Sequence, residues 1–577
     1  MIARNPYLVN KAFKSYLVAT ILASMALSTG VVVNGIIVGN LLGPEALSAV
    51  NLVSPLMQLF NALYILLNVG GGMLVAMAIG KRKLDDVNRI FSLSMALNLI
   101  VGLVIMLAGI FFLDEMVHAL CSNQALRPLV RDYAQVILWA APIFLLLPGL
   151  CVYVRTDSAP KLASTALIVA NVINLILDVV FIKFLDWGIR GPSLASAIGF
   201  TVGLLIVLTH FSRKNRLVHF SKPASFSELG PLLLTGLPVA LGSALIMVKL
   251  LSLNHIIIHE LGTAGITIFA VCFNLLMISG MFVGGTVQTM QPIGGMLYGA
   301  EDYRGMNLVI KAAARTLLIC LLGLFFSLMA FPKFFAMLFG ISDPAMLAAA
   351  GPAIRIFSFS IPLFGLNYLF MVIYQLCRRN HFSITISCLQ ALMVLPVMLF
   401  FALFKSKSLI WLSFAVGELL VFGFILLMSS WVRRKNKHLT PLTLIEMPHK
   451  ETELDFSVQG KMGEMKELMP AVQQFLEKKE ISLRMKNAIA LSVEELTLNI
   501  IQHGYGDKKR HFIDIRIRIP GERAILCITD DGIPFNPIKY DQQTGIGLLI
   551  VKKICSKIEY VRSMNQNIVT ATIGKEC

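Results

Sequence analysis

The chain has 577 residues, of which 56% are hydrophobic and 14% are charged, and its mean hydropathy is +0.75. This balance excludes a soluble globular protein and is typical of a polytopic membrane protein. The net charge is +17, with about +16 in residues 1–439 and about +1 in residues 440–577. Because the basic residues cluster between apolar runs, we interpret them as orientation signals and expect no nucleic-acid partner.

Twelve apolar runs are each near or above the roughly 20 residues that a helix needs to cross a bilayer. They lie at residues 16–40, 46–78, 90–113, 129–153, 162–185, 192–211, 232–258, 264–296, 308–335, 350–376, 382–404 and 408–431. Loops rich in Lys and Arg alternate with loops that contain few of them. The positive-inside rule then predicts a multi-pass protein with both termini in the cytoplasm. The expected location is a bacterial inner (cytoplasmic) membrane.

The apolar part contains an internal repeat with an offset of about 219 residues. Matching positions are Asn34 and Asn254, Leu42-Gly43 and Leu261-Gly262, Gly80 and Gly299, and Asn88 and Asn307. Six spans in each repeat, an even number, mean that both halves enter the membrane in the same direction. We therefore predict a domain at residues 10–437 built from two parallel six-helix halves, at about 10–215 and 225–437.

A polar face on the fifth span is the best candidate for an ion-coupling site. Asn171, Asn174 and Asp178 are spaced i, i+3 and i+7, which places them on one side of a helix. A carboxylate in the hydrocarbon region is costly unless it is paired, protonated or bound to a cation. Asp178 is therefore predicted to bind H⁺ or Na⁺. The alternative is a structural aspartate that is capped by neighbouring polar groups.

The order and spacing of several further motifs resemble those of MATE (multidrug and toxin extrusion) transporters over about residues 10–437. These motifs are Asn34 to Gly39 with Leu42-Gly43, Arg155-x-Asp157-x-x-Pro160, Gly188-x-x-Gly191, Gln291-Pro292 and Tyr298-Gly299-Ala300. The resemblance implies cation-coupled efflux of organic or xenobiotic compounds, most simply organic cations, with Asn174 and Asp178 in the coupling site. Asn34 is the third candidate residue of this coupling site, although the family usually has an aspartate at that position.

Lys249 is a second charged residue within an apolar run. It has three interpretations from sequence: it faces the substrate cleft, it pairs with Asp178, or it forms a structural pair with Glu418 in the twelfth span.

After a linker at residues 438–450, the composition of residues 451–577 becomes that of an ordinary soluble domain. Alternating and helical periodicities predict an antiparallel sheet covered by helices on one face, an α/β sandwich. The predicted strands are 454–458, 512–519, 523–530 and 567–573, and the predicted helices are 462–479, 483–502 and 545–557.

Three motifs within this domain have the chemistry of a nucleotide site. Glu495 and Asn499 are one helical turn apart, so that Asn499 can bind Mg²⁺ while Glu495, the predicted catalytic residue, orients a water or hydroxyl group. Asp530, at a strand end before Gly532, can accept the adenine amino hydrogen. The segment Gly545-Ile546-Gly547-Leu548 opens a helix, where free backbone N–H groups favour phosphate.

In this order the three motifs resemble the nucleotide-binding boxes of the GHKL ATPases, and the segment from Ser492 to Tyr505 resembles the anti-sigma-factor serine kinase branch. The resemblance implies ATP and Mg²⁺ as cofactors, and it leaves open whether ATP is hydrolysed, transferred to a serine or threonine, or only bound. An ATP-free degenerate copy is the remaining alternative.

Two functions follow. The first is a H⁺- or Na⁺-coupled exporter that is regulated by its ATP-binding domain. The second is a membrane-anchored signalling kinase with a MATE-like sensor, which phosphorylates a small antagonist protein.

Overall fold

The computed structural model describes residues 4–574, except 122, 215, 222–225, 405, 447–451, 507, 508 and 539–545. The chain divides into two compact units. One consists of Met1–Lys14, Tyr303–Leu308 and Met447–Cys577, and the other of Ser15–Asp302 and Val309–Glu446. Residues 10–14, which were predicted to belong with the apolar spans, thus fall in the unit that contains the C-terminal domain.

The larger unit is built from helices and has no β-strand among its described residues. Its helices, including the first turns of α1 and α11 that lie in the other unit, are α1 Tyr7–Leu42, α2 Pro44–Tyr64, α3 Gly70–Gly80, α4 Leu84–Phe111, α5 Leu113–Leu120, α6 Arg127–Trp139, α7 Ala141–Thr156, α8 Pro160–Val179, α9 Arg190–Leu208, α10 Leu229–Gly299, α11 Tyr303–Ala330, α12 Pro332–Leu338, α13 Pro344–Ser358, α14 Ser360–Leu376, α15 Asn380–Leu392, α16 Val394–Ala402 and α17 Lys407–Lys435.

Ten helices in the described part of the chain are long and apolar enough to cross a membrane, and a bent pair, α6 with α7, makes an eleventh span. The longest of these helices, α10, has 71 residues and contains Gly262 at φ 67° and ψ −162°, which is not a helical conformation. The predicted runs 232–258 and 264–296 lie on either side of this residue. When α10 is divided at Gly262, the spans reach the predicted twelve.

The kink at Gly262 depends on the absence of a side chain. A positive φ of this size lies in the region that L-residues other than glycine rarely adopt. The kink therefore separates two spans without a loop, which is why the sequence showed only a short interruption in the apolar pattern.

The predicted linker is folded in its first part. Residues 439 and 446 form an isolated bridge, and the turn between them is closed by a 2.7 Å hydrogen bond from the Thr440 N–H to the Ile445 carbonyl. Leu444 and Ile445 are buried. Residues 447–450 of the linker lie outside the described residues.

The C-terminal unit is a two-layer α/β sandwich, as predicted. Its sheet has the order β1-β2-β3-β5-β4 with every neighbouring pair antiparallel. The strands are β1 Glu453–Gln459, β2 Phe512–Arg518, β3 Ala524–Asp530, β4 Lys557–Ser563 and β5 Gln566–Ile573, and the helices are α18 Met465–Glu477, α19 Leu483–His503 and α20 Ile546–Ile554. Helix α19 begins where the Ser482 hydroxyl accepts a hydrogen bond from the Met485 N–H at 3.2 Å.

The apolar residues of the strands and helices meet in one core. Ile513, Ile515 and Ile517 on one face of β2 pack with buried residues of α18 and α19, among them Val472 and Val493. This alternation is the period-two pattern of a sheet with one face against helices.

One predicted element of this unit is wrong in part. The helix predicted at 545–557 ends at Ile554, and Lys557 begins strand β4, which was not predicted. Strand β4 pairs with β5 along its whole length, for example Tyr560 with Val569. The pairing satisfies backbone groups that a longer helix would have bonded internally, so tertiary pairing outweighs the local helical pattern.

Candidate functional site

The C-terminal unit has a cavity between helix α19, the ends of β3 and β5, and the start of α20. It is lined by Leu496, Asn499, Ile500, His503, Gly504, Ile528, Asp530, Ile533, Phe535, Pro537, Leu548, Asn567 and Val569. Most of these side chains are apolar, and the polar ones are Asn499, His503, Asp530 and Asn567. An apolar cavity with a small number of fixed polar groups is the usual form of a small-molecule site.

Asp530 is the central polar group of the cavity. It is 2% exposed, and its Oδ1 atom accepts hydrogen bonds from the Gly532 N–H at 2.8 Å and from Asn567 Nδ2 at 2.9 Å. Both bonds use the same oxygen, so that Oδ2 remains available for a donor on a ligand. Burial raises the pKa of Asp530 to about 6, although the bonds from Asn567 and Gly532 lower it.

Asn567 was not among the predicted site residues, yet it fixes the orientation of Asp530. Its Oδ1 accepts hydrogen bonds from Arg562 Nη1 at 2.6 Å and from the Tyr560 hydroxyl at 2.9 Å. Its Nδ2 also donates to the Ile533 carbonyl at 2.8 Å. Arg562 and Tyr560 lie on β4, the strand that was not predicted. The alternation of residues 557–563 was the sequence signal that would have revealed them.

The two predicted residues of α19 take different places. Asn499 lines the cavity, whereas the Glu495 carboxylate lies directly against the backbone of Gly547 at the start of α20. A Cβ atom at position 547 would overlap the Glu495 carboxylate, so any larger residue here would displace that side chain.

Leu548 of the same motif is buried and also lines the cavity. Gly545 lies outside the described residues. The described parts of all three motifs therefore line one cavity or adjoin a residue that lines it.

In the membrane unit, Asp178 lies at the end of α8 and is 0% exposed. Its Oδ2 accepts a 2.8 Å hydrogen bond from Asn34 Nδ2 on α1. Its Oδ1 is buried and has no hydrogen-bond partner among the described residues. The structure thus joins two predicted residues that are 144 positions apart, and it leaves one carboxylate oxygen free to bind a proton or a cation.

The other amides of the fifth span do not bond to Asp178. Asn174 is 7% exposed and donates from Nδ2 to the Ser196 hydroxyl on α9 at 2.8 Å. Asn171 donates to the Leu167 carbonyl of its own helix at 3.0 Å. Asn34, rather than Asn174, is therefore the direct hydrogen-bond partner of the Asp178 carboxylate.

A second polar network includes the half-buried Lys249 and the buried Glu418. Lys249 Nζ donates to the Gln390 carbonyl at 3.4 Å, and Gln390 Nε2 donates to Glu418 Oε2 at 3.2 Å. The same oxygen accepts a 2.8 Å bond from Asn367 Nδ2. Of the three interpretations of Lys249, this geometry favours an association with Glu418, with Gln390 between them.

Comparison with known protein families decides the classification of the chain. The MatE family model matches residues 19–180 and 238–400, which together exceed half of the chain. The chain belongs to the MatE family. The two matched segments begin 219 residues apart, which confirms the predicted repeat. A second model, the histidine kinase-like ATPase domain, matches residues 459–573 of this MatE protein.

Relatives with described functions resemble the MatE region. The multidrug export protein MepA of Staphylococcus saprophyticus is 23% identical over 389 residues, which is 66% of this chain and 84% of the relative. MepA of Staphylococcus aureus is 23% identical over 390 residues, again 66% of this chain and 84% of the relative.

Solved structures share the same fold. An outward-facing multidrug resistance MATE family transporter superposes with a TM-score of 0.67 at 21% identity, over 75% of this chain and 98% of that one. A MOP superfamily transporter from Pyrococcus furiosus superposes with a TM-score of 0.66 at 20% identity, with the same coverage. At these identities the likeness establishes the fold alone.

Proposed function

We propose that this MatE protein is a cation-coupled exporter of small organic compounds that is regulated by its C-terminal ATP-binding domain. The observation that carries the transport proposal is the state of Asp178, which is fully buried with Oδ2 bonded to Asn34 and Oδ1 without a partner among the described residues. The names of the MepA relatives support organic compounds as substrates, and organic cations are the simplest class.

The coupling ion is H⁺ or Na⁺, and both use the same atoms. Protonation of Asp178 Oδ1 would remove a charge from an apolar environment, whereas Na⁺ would be held by carboxylate and amide oxygens. Asn34 donates its amide hydrogen to the carboxylate in this structure. Reorientation of the Asn34 amide would present its oxygen instead, so the residue can serve either ion.

In the C-terminal domain the residues fit ATP with Mg²⁺. Asp530 Oδ2 would accept the adenine amino hydrogen beside Gly532, and Asn499 would bind Mg²⁺. The backbone at Gly547 and Leu548 would lie near the phosphates. Bound ATP would supply a phosphoryl group, and Glu495 would orient the hydroxyl or water that receives it. A serine or threonine of a small antagonist protein is the acceptor that the kinase-like motifs favour.

The alternative function is the membrane-anchored kinase with a MATE-like sensor. The observation in its favour is Asn34, which stands where the family usually has an aspartate. The coupling site then contains a single carboxylate, Asp178, as expected if this domain senses a ligand and does not transport it. For both functions the distribution of basic loops supports two cytoplasmic termini in a bacterial inner membrane. A reporter fused after Lys437 should give a cytoplasmic signal, and a periplasmic signal would contradict the orientation.

The deciding experiment is export of a cationic dye from vesicles that contain the full chain, under a H⁺ or a Na⁺ gradient, with and without ATP. Asp178→Asn should abolish gradient-driven export. Asp186→Asn is a matched control, because Asp186 is an exposed acid shortly after the same helix at φ 51°, a conformation that asparagine tolerates. Equal export by wild type and Asp178→Asn would refute the coupling role. Export that ignores ATP would refute the regulation.

A further inference from the structure

The face of the sheet that is turned away from α18 and α19 is polar, yet it is buried. Asp455 and Ser457 on β1 alternate with core residues, as do Asp514 and Arg516 on β2, and the exposed fractions of these four residues are 4 to 8%. In a two-layer sandwich this second face would normally contact water. Its burial indicates that another segment covers it.

The covering segment is residues 4–11, which belong to the same compact unit as the sheet. Arg4 lies between two carboxylates, with Nη1 at 3.4 Å from Asp455 Oδ2 and Nε at 3.3 Å from Asp514 Oδ2. The next residue donates from its backbone, because the Asn5 N–H lies 2.7 Å from the Ser457 hydroxyl oxygen. Arg4 therefore balances two buried negative charges that are costly without it.

Tyr7 extends this contact along β2. Its ring packs on Phe512 with 4.9 Å between the ring centroids, and its hydroxyl donates to the Arg510 carbonyl at 2.8 Å. Arg304, from the short segment that also belongs to this unit, adds a 3.3 Å hydrogen bond to the Asp455 carbonyl. The surface thus joins three separate parts of the sequence.

Residues 4–11 also contact Asp531 and Gln566, which are the sequence neighbours of Asp530 and Asn567 in the candidate nucleotide site. Lys11 Nζ lies 2.5 Å from Asp531 Oδ2, adjacent to Asp530. The Leu8 carbonyl accepts a 2.8 Å hydrogen bond from Gln566 Nε2, and Gln566 immediately precedes Asn567. Asp530 and Asn567 are therefore each next in sequence to a residue that contacts residues 4–11, namely Asp531 and Gln566.

We propose that residues 4–11 form a docking segment through which nucleotide binding at Asp530 acts on helix α1. Tyr7 begins α1, which continues without a break to Leu42 and includes Asn34. The 23 residues from Lys11 to Asn34 span about 35 Å at 1.5 Å per residue. A shift of the docked end is therefore transmitted along a continuous helix to the residue that bonds Asp178. This inference rests on the proposed function for both ATP binding and export.

Thermodynamic linkage makes the proposal testable in two ways, through the affinity for ATP and through the docking of residues 4–11. If ATP changes the docking of the segment, then the segment must change the affinity for ATP by the same factor. Lys11 pairs with one oxygen of Asp531, and His511 Nδ1 lies 3.1 Å from the other. Replacement of Lys11 by glutamate therefore places a second negative charge beside Asp531, the residue next to the adenine acceptor. We expect Lys11→Glu to weaken ATP binding by roughly ten-fold, within the usual range of such couplings.

The experiment uses the full chain in lipid vesicles and measures ATP affinity together with ATP-dependent dye export. Lys11→Glu and Arg4→Gln should weaken ATP binding and remove the effect of ATP on export, while export without ATP continues. The double variant Lys11→Glu with Asp531→Lys should bind ATP more tightly than Lys11→Glu alone. Lys14→Glu is the matched control, because Lys14 is an exposed lysine one turn further along α1 and should behave as wild type.

The outcomes separate this proposal from the proposed function. If ATP regulates export in the wild type and in Lys11→Glu and Arg4→Gln alike, the docking segment is overturned and the proposed function stands. If the wild type binds ATP but its export ignores ATP, the regulation and the transmission along α1 both fail. If the wild type does not bind ATP, the nucleotide site itself is overturned. Hydrogen exchange at residues 4–14 should slow on addition of ATP, because a segment that strengthens ATP binding is held more tightly when ATP is bound. Unchanged or faster exchange would contradict the proposal.

Discussion

Replacement of Asp530 by asparagine should make the C-terminal domain more stable and less able to bind ATP. Asparagine keeps a carbonyl oxygen in the position of Oδ1, so the bonds from Gly532 and Asn567 can remain. The position of Oδ2 becomes an NH₂ group, which is a donor. This donor would face the adenine amino group, another donor, and the two cannot bond.

The gain in stability follows from the pKa of Asp530, which burial raises from 3.8 to about 6. The folded state therefore prefers the protonated form, and this contribution to stability is full below the unfolded pKa and is lost as the pH rises through about 6. At pH 7 the ionised side chain costs about 3 kcal/mol at 1.36 kcal/mol per pKa unit, as an upper value. The Asp530→Asn substitution should recover about 1–3 kcal/mol of this cost.

The loss of a hydrogen bond to a charged acceptor should weaken ATP binding by about 1–3 kcal/mol, which corresponds to roughly five- to 150-fold in Kd. Because ionised Asp530 is the better acceptor, ATP binding by the wild type should also weaken as the pH falls below about 6. The Asp530→Asn variant should lose this pH dependence.

Hydrogen exchange on the full chain, read at the amides of β3 at pH 5 and pH 7, measures the free energy of opening of this domain. Calorimetry with ATP measures the affinity. Glu480→Gln is the control, because Glu480 is an exposed acid in the loop before α19. If the Asp530 variant binds ATP as tightly as the wild type, or is clearly less stable at pH 7, the assignment of Oδ2 to the ligand is wrong.

Three further predictions concern other residues. Gly547→Ala should lower phosphoryl transfer at least ten-fold, because the new methyl group displaces the Glu495 carboxylate, and a radiolabel transfer assay with unchanged rates would refute this. Glu495→Ala should leave ATP binding intact and remove transfer, whereas Asn499→Ala should weaken binding only when Mg²⁺ is present, as calorimetry would show. Glu418→Gln should lower the Tm in detergent and the added Lys249→Met should restore it, because a buried charge without its partner is costly and a neutral pair is not; additive losses of Tm would contradict their association.

Much of the architecture followed from local patterns in the chain. A membrane-spanning helix shows in the sequence as an apolar run of about 20 residues, and a strand shows as an alternation with a period of two. Both patterns involve only residues that are close together in the chain, so both are visible in a sequence. The spacing of Asn171, Asn174 and Asp178 predicted a polar face on α8, and the three nucleotide motifs were recognised from their order in the chain. The repeat was visible for the same reason, since each half carries its own copy of the pattern.

Other features required contacts between distant residues. The bond between Asn34 and Asp178 joins positions 144 apart, and the pairing of β4 with β5 brings Arg562 and Asn567 behind Asp530. A side chain's partner across a fold is set by packing and by the need to satisfy buried polar groups, neither of which leaves a periodic trace in the chain.

The first residues of the chain show this limit most clearly. Arg4 and Lys11 looked like ordinary basic residues ahead of an apolar run, with the usual role of orientation signals. Their contacts are with Asp455, Asp514 and Asp531, more than 400 positions away. Only the folded sheet brings those carboxylates close together. Buried carboxylates are costly without a cationic partner, and Arg4 and Lys11 provide one.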